Sequence, residues 1–85
     1  MQEKRNVESD IRNLVSEILE VEPYEVGLEA HFVKDLGMDS MMALEVLASL
    51  EKKYRIVIPE DALSKFTSVK ETARIVEQIL KNHNK

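Results

Sequence analysis

The residues best placed to do chemistry stand together at Gly37-Met38-Asp39-Ser40-Met41, where a loop runs into an amphipathic helix. Gly37 permits a tight turn or a positive φ that other residues resist. Asp39 is a good helix N-cap. Ser40 is the one serine that both follows a Gly-x-Asp turn and opens a helix. That placement exposes a hydroxyl on a rigid platform, beside a carboxylate and at the positive end of a helix dipole. It suits a phosphate ester. A chain using Ser40 in this way does no chemistry itself and carries something for other proteins.

The remaining polar residues offer no competing chemistry. His31 and His83 are isolated from metal-ligand spacing and are expected at the surface. Asp35 and Asp39 could hold a cation only weakly, so no metal site is expected. Nucleophile, base and orienting group do not occur as a set, and no glycine-rich phosphate loop is present. An enzymatic role is not expected. With no cysteine, the chain can form no disulfide and supplies no thiol of its own.

Three amphipathic helices must position the serine. Val7, Ile11, Leu14, Val15, Ile18 and Leu19 form one helical stripe, which ends before Pro23 because Glu22 is pushed from helical geometry. A second helix is expected from about Ser40 to Tyr54, burying Ala43, Val46, Leu47, Leu50 and Tyr54. A third opens at Ser68-Val69-Lys70-Glu71, a capping box, and buries Val69, Ala73, Val76 and Leu80, with Ile75 and Ile79 widening the stripe. Between the first two lies a long loop over residues 20–39. A structureless loop of that length is unusual in a small domain, so Val26, Leu28, Phe32 and Leu36 are expected to pin it to the core, with a turn of helix around Ala30–Lys34. Pro59 suits the first turn of a short helix near Glu60–Leu63. Arg55-Ile56-Val57-Ile58 alternates like a strand but has no partner strand. The fold predicted is all-α: a small four-helix bundle, three main helices plus one short one, with a long loop between helices 1 and 2. One domain spans residues 1–85, with an ordered core of about 5–81.

Composition narrows the class of function. A hydrophobic fraction of 44% and a charged fraction of 33% describe a folded, soluble domain of 85 residues. No apolar run approaches a transmembrane helix, and the first residues lack the apolar stretch of a signal peptide. A cytoplasmic protein without membrane insertion is expected. Residues 1–61 hold fourteen acids and seven bases, whereas residues 62–85 hold two acids and five bases. The acidic front disfavours nucleic acid and favours basic protein partners.

Phe32-Val33-Lys34-Asp35-Leu36-Gly37-Met38-Asp39-Ser40-Met41, the helix that follows, and Ile58-Pro59-Glu60-Asp61 together resemble the acyl carrier protein family. The similarity runs from about Val7 to Leu80. It implies that Ser40 carries 4′-phosphopantetheine, attached from coenzyme A by a magnesium-dependent phosphopantetheinyl transferase. The arm's terminal thiol would hold acyl groups as thioesters, which fits a chain without cysteine. Gly37 and Asp39 would support the attachment site, with Asp39 also assisting the transferase. Glu45 matches an acid that family partners recognise with Lys or Arg; Glu51, Glu60 and Asp61 extend that face, and Asp35, Met41 and Met42 join it as candidate partner contacts. The implied partners are acyl-activating ligases, ketosynthases and acyltransferases, met by a stand-alone monomer. Leu44, Leu47, Val57, Ile58, Leu63, Phe66, Ala73 and Val76 could line an acyl pocket, although ordinary core is the plainer reading of each.

The chain also departs from the acidic fatty-acid type. Met42 stands where an acid is often found, and Lys52 and Lys53 stand where acids are common. Residues 39–61 hold five acids and three bases. This points away from a housekeeping fatty-acid carrier and toward a dedicated one for a specialised fatty-acid, polyketide or related pathway. Two alternatives stay open on sequence: a carrier of aminoacyl, peptidyl or D-alanyl units, and a helical adaptor or regulator with Ser40 unmodified.

Overall fold

The computed structural model describes the backbone of residues 6–83 and the side chains of residues 6–82. The expected edge of the core at residue 5, and the expected exposure of the side chains of His83, Asn84 and Lys85, lie outside them. Three α-helices form the body: α1 (Val7–Leu19), α2 (Ser40–Tyr54) and α3 (Val69–His83). A 3-10 helix at Glu60–Lys65 is the short fourth member, and a further 3-10 turn occupies Pro23–Glu25. Among the described residues there is no strand.

The stripes read from the sequence make the core. Val7, Ile11 and Val15 of α1, Val46, Leu50 and Tyr54 of α2, and Val69, Ala73 and Val76 of α3 are all buried. Leu14, Ile18, Leu19, Ala43, Leu47, Ile75, Ile79 and Leu80 pack half-buried around them. α1 is the element on which both other helices pack. Its start is fixed by Asn6, whose side chain accepts from the Ser9 N–H at 3.1 Å. Its end is a left-handed Glu20, φ 62°. Glu22 is extended, as a residue before proline must be, and Pro23 then opens a 3-10 turn that periodicity could not reveal.

The long loop is anchored as expected, with Val26 and Phe32 fully inside and Leu28 and Leu36 half-buried. Backbone bonds add to this. The Phe32 N–H donates to Thr67 O at 2.8 Å and the Lys70 N–H to Leu28 O at 3.0 Å, so the loop is tied to the start of α3. The expected helical turn falls two residues later than Ala30–Lys34, over residues 32–36. The reason is its cap. The His31 ring and the Asp35 carboxylate take up the turn's free backbone N–H groups, which sets its start at Phe32.

Residues 55–58 show why alternation need not mean a strand. Ile56 and Ile58 are buried while Val57 lies 81% exposed. The backbone bond a neighbouring strand would make is made by a side chain, since Glu51 Oε2 accepts from the Ile58 N–H at 2.8 Å. Pro59 sits just before the short helix rather than in its first turn, and Ala62 N–H closes that turn on Pro59 O at 2.9 Å. Half of the predicted capping box opens α3, with the Glu71 N–H donating to Ser68 Oγ at 3.2 Å. The Glu71 carboxylate turns to Arg74 instead, at 3.6 Å.

Candidate functional site

Ser40 is the first residue of α2, and its side chain is exposed. The turn before it is built as the residue types require. Gly37 has φ 73°, in the left-handed region, with no atom near the place a Cβ would occupy. Met38, 3% exposed, drives the chain back into the core, and its N–H donates to Phe32 O at 2.9 Å. Asp39 is the N-cap, accepting from the Met42 N–H at 2.9 Å through Oδ1, and its carbonyl accepts from the Ala43 N–H at 3.0 Å. Helix geometry leaves the Ser40 and Met41 N–H groups for an outside acceptor. An anion there gains about 0.3–1 kcal/mol from the helix dipole.

Ser40 opens onto a cleft of about 620 Å³. Asp39, Ser40 and Ala43 form one wall, and Glu60, Asp61, Leu63 and Phe66 form the other. His31, Val33, Met38, Ser64 and Thr67 complete its lining. The sequence-predicted residues Asp39, Ser40, Glu60 and Asp61 therefore meet in one place. The cleft fits a phosphopantetheine arm chemically: a free hydroxyl and free N–H groups for its phosphate, carboxylates and hydroxyls for its amides, and apolar side chains for its methyl and methylene groups.

The other predicted contacts divide. Met41 is 69% exposed, and Leu44 and Glu45 are exposed beside it. Met42, also a candidate partner contact, is half-buried against the core, so Met41 is the one of the two adjacent methionines presented to solvent. Two acids are engaged inside the molecule. Asp35 Oδ2 accepts from the His31 N–H at 2.8 Å, and Glu51 bonds Ile58 as described. Leu44 and Val57, at 45% and 81% exposed, are neither core nor the lining of an interior pocket. Ile58, Phe66, Ala73 and Val76 are core.

Sequence reasoning missed His31. It is half-buried rather than a surface residue, and it lines the cleft. Its Nδ1 accepts from the N–H groups of Val33 and Lys34, each at 3.2 Å. The signal was present in the His31–Asp35 spacing of four around the turn-forming Phe32-Val33-Lys34, a spacing that lets two side chains cap one turn reciprocally. Among the described residues no cluster of His, Asp and Glu is arranged to hold a metal, and no helix is long and apolar enough to cross a membrane.

Comparison with known proteins bears on this geometry. Residues 9–76 match the family model for the phosphopantetheine attachment site. The chain is similar to the acyl carrier protein of Helicobacter acinonychis (strain Sheeba), 40% identical over 68 residues, covering 80% of this chain and 87% of that protein. The acyl carrier protein of Wolinella succinogenes is 41% identical over 68 residues, covering 80% and 90%. That of Campylobacter concisus is 35% identical over 70 residues, covering 82% and 91%.

Proposed function

This chain belongs to the acyl carrier protein family and bears acyl groups on a covalent 4′-phosphopantetheine, and from that premise we propose that Ser40 is the attachment residue. The observation that carries this is the exposed Ser40 hydroxyl at the head of α2, opening on the one described cleft that also gathers Asp39, Glu60 and Asp61. The arm, once attached, supplies the terminal thiol that this cysteine-free chain lacks.

The chain's own residues present that group. Gly37 and Met38 fix the approach of the backbone, and Asp39 holds the first turn of α2 closed, so the Ser40 hydroxyl projects from a rigid support. The N–H groups at the head of α2 would hold the phosphodiester. Catalysis belongs to the partners, which recognise the chain as substrate: a phosphopantetheinyl transferase first, then acyl-activating ligases, ketosynthases and acyltransferases. Met41, Leu44 and Glu45 on the outer face of α2, with Glu60 and Asp61 across the cleft, form the docking surface. Ion pairs at such exposed acids are worth about 0–1 kcal/mol each, which keeps every encounter brief. Lys52, Lys53 and Arg55 at the far end of α2 support a dedicated pathway over the housekeeping one, since a uniformly basic partner surface would meet repulsion there. The chain acts as a cytoplasmic monomer.

The test is incubation with coenzyme A, magnesium and a broad-specificity phosphopantetheinyl transferase. Intact mass should rise by one phosphopantetheinyl group, and Ser40→Ala should abolish the gain. An unchanged wild-type mass with several transferases, or a gain that survives Ser40→Ala, overturns the assignment.

A further inference from the structure

His31 contributes two things at once. Its Nδ1 receives two backbone N–H groups, from Val33 and Lys34 at 3.2 Å each. A nitrogen that accepts cannot carry a proton, so the ring is held in the tautomer with hydrogen on Nε2. The backbone N–H of the same residue is fixed by Asp35 at 2.8 Å, so the main chain that carries the ring is held as well. With the Nδ1 edge turned to its own turn, the Nε2 edge is the one left for the cleft it lines with Ser40.

The cleft is rich in acceptors and has few uncommitted donors, the Thr67 hydroxyl being one besides His31. Asp39, Glu60 and Asp61 bring carboxylates. Ser64 has its hydroxyl proton on Asp61 O at 3.2 Å. A pantetheine chain offers two amide N–H groups, which the carboxylates can receive, and two amide carbonyls, which need donors.

The geometry points to His31 as a positioning residue for the arm, its Nε2–H donating to an amide carbonyl of the pantetheine chain in the Ser40 cleft. This rests on the reading that Ser40 carries the arm. A carrier gains from such a contact because it parks the chain reversibly. One hydrogen bond of ordinary net strength holds the arm in the cleft part of the time and releases it to a partner.

The experiment compares apo and phosphopantetheinylated wild type with His31→Asp and His31→Ala, each loaded enzymatically and checked by intact mass. Aspartate can keep the cap on the turn through its side-chain oxygens and carries no donor when ionised. In the wild type, ¹⁵N spectra of the imidazole should show the Nε2-protonated tautomer before and after loading, with the Nε2 and attached proton resonances shifting on loading. Alkylation of the arm's thiol by neutral iodoacetamide should be about two- to fivefold faster in both loaded variants than in wild type, from the loss of one hydrogen bond. Failure to load would sink the Ser40 assignment and this inference together. Normal loading with identical His31 resonances in both forms of the wild type, or with equal alkylation rates in wild type and both variants, would overturn the role of His31 alone.

Discussion

The Ser40 cleft is instructive beside another of similar size at the opposite end of α2. That second cleft, about 590 Å³, is lined by Asp10, Asn13, Leu14 and Glu17 of α1, by Ser49, Lys52 and Lys53 of α2, and by Pro23. It is about as roomy and no less polar, yet some of its groups are already engaged inside the molecule. Tyr54 OH donates to Asp10 Oδ2, and Ser16 Oγ donates to Asn13 O at 2.8 Å. At the first cleft one hydroxyl stands free at a helix N-terminus, and the lining comes from the loop before α2, the head of α2, and the short helix with the residues just after it. Volume therefore does not mark the site. What marks it is a hydroxyl displayed at the head of a helix, where Gly37, Asp39 and His31 are each committed to holding the turn around it. Exchange between the ends tests this: Ser40→Ala should abolish uptake of the arm, whereas Ser49→Ala should leave it intact.

The largest effect on stability should come from the core that both clefts share. Leu50 is fully buried on α2, one turn before the helix ends. Leu50→Ala should cost about 2–5 kcal/mol, a large part of the 5–15 kcal/mol typical of small domains. Urea unfolding would measure it. A cost below 1 kcal/mol would mean that the two ends of α2 are held independently.

The two clefts also differ in how far sequence could foresee them. The helical stripes were legible because a period of 3.6 depends only on local order, and the Gly37–Met41 turn was legible because its five residues are contiguous. The opposite wall of the Ser40 cleft was half legible: Glu60 and Asp61 were expected near partners, but the presence of Leu63, Phe66 and Thr67 follows from how the short helix folds back. Contacts such as Tyr54 to Asp10, 44 residues apart, leave no periodic trace. The Glu51 bond to Ile58 was hidden differently. An acid at an exposed helical position reads as surface charge, and only the path of residues 55–58 shows that it substitutes for a missing strand.

At the second cleft, Tyr54→Phe removes the hydroxyl from Asp10 and keeps the buried ring. A hydrogen bond to a charged group is worth about 1.5–3 kcal/mol, and partial exposure of Asp10 puts the expected loss at the lower end. Modification of Ser40 should proceed at the wild-type rate. A slowed modification would show that the far end of α2 influences the near one, and would break the separation drawn between them.

The smallest effect is the most discriminating. Asp39 has a structural task, capping α2 through Met42 at 2.9 Å, and a proposed task toward the transferase. Asp39→Ala removes both and should cost about 0.5–2 kcal/mol of stability. Asp39→Asn keeps an oxygen acceptor, and asparagine caps as well as aspartate, so thermal unfolding should barely move. If the carboxylate does no more than cap, Asp39→Asn will also take up phosphopantetheine at the wild-type rate. If its charge assists the transferase and its magnesium, the rate will fall about tenfold or more while stability stays level, since removing one positioned charge costs at least 1.4 kcal/mol in many active sites. That split would place Asp39 with Ser40 in the chemistry of the first cleft rather than in its scaffold.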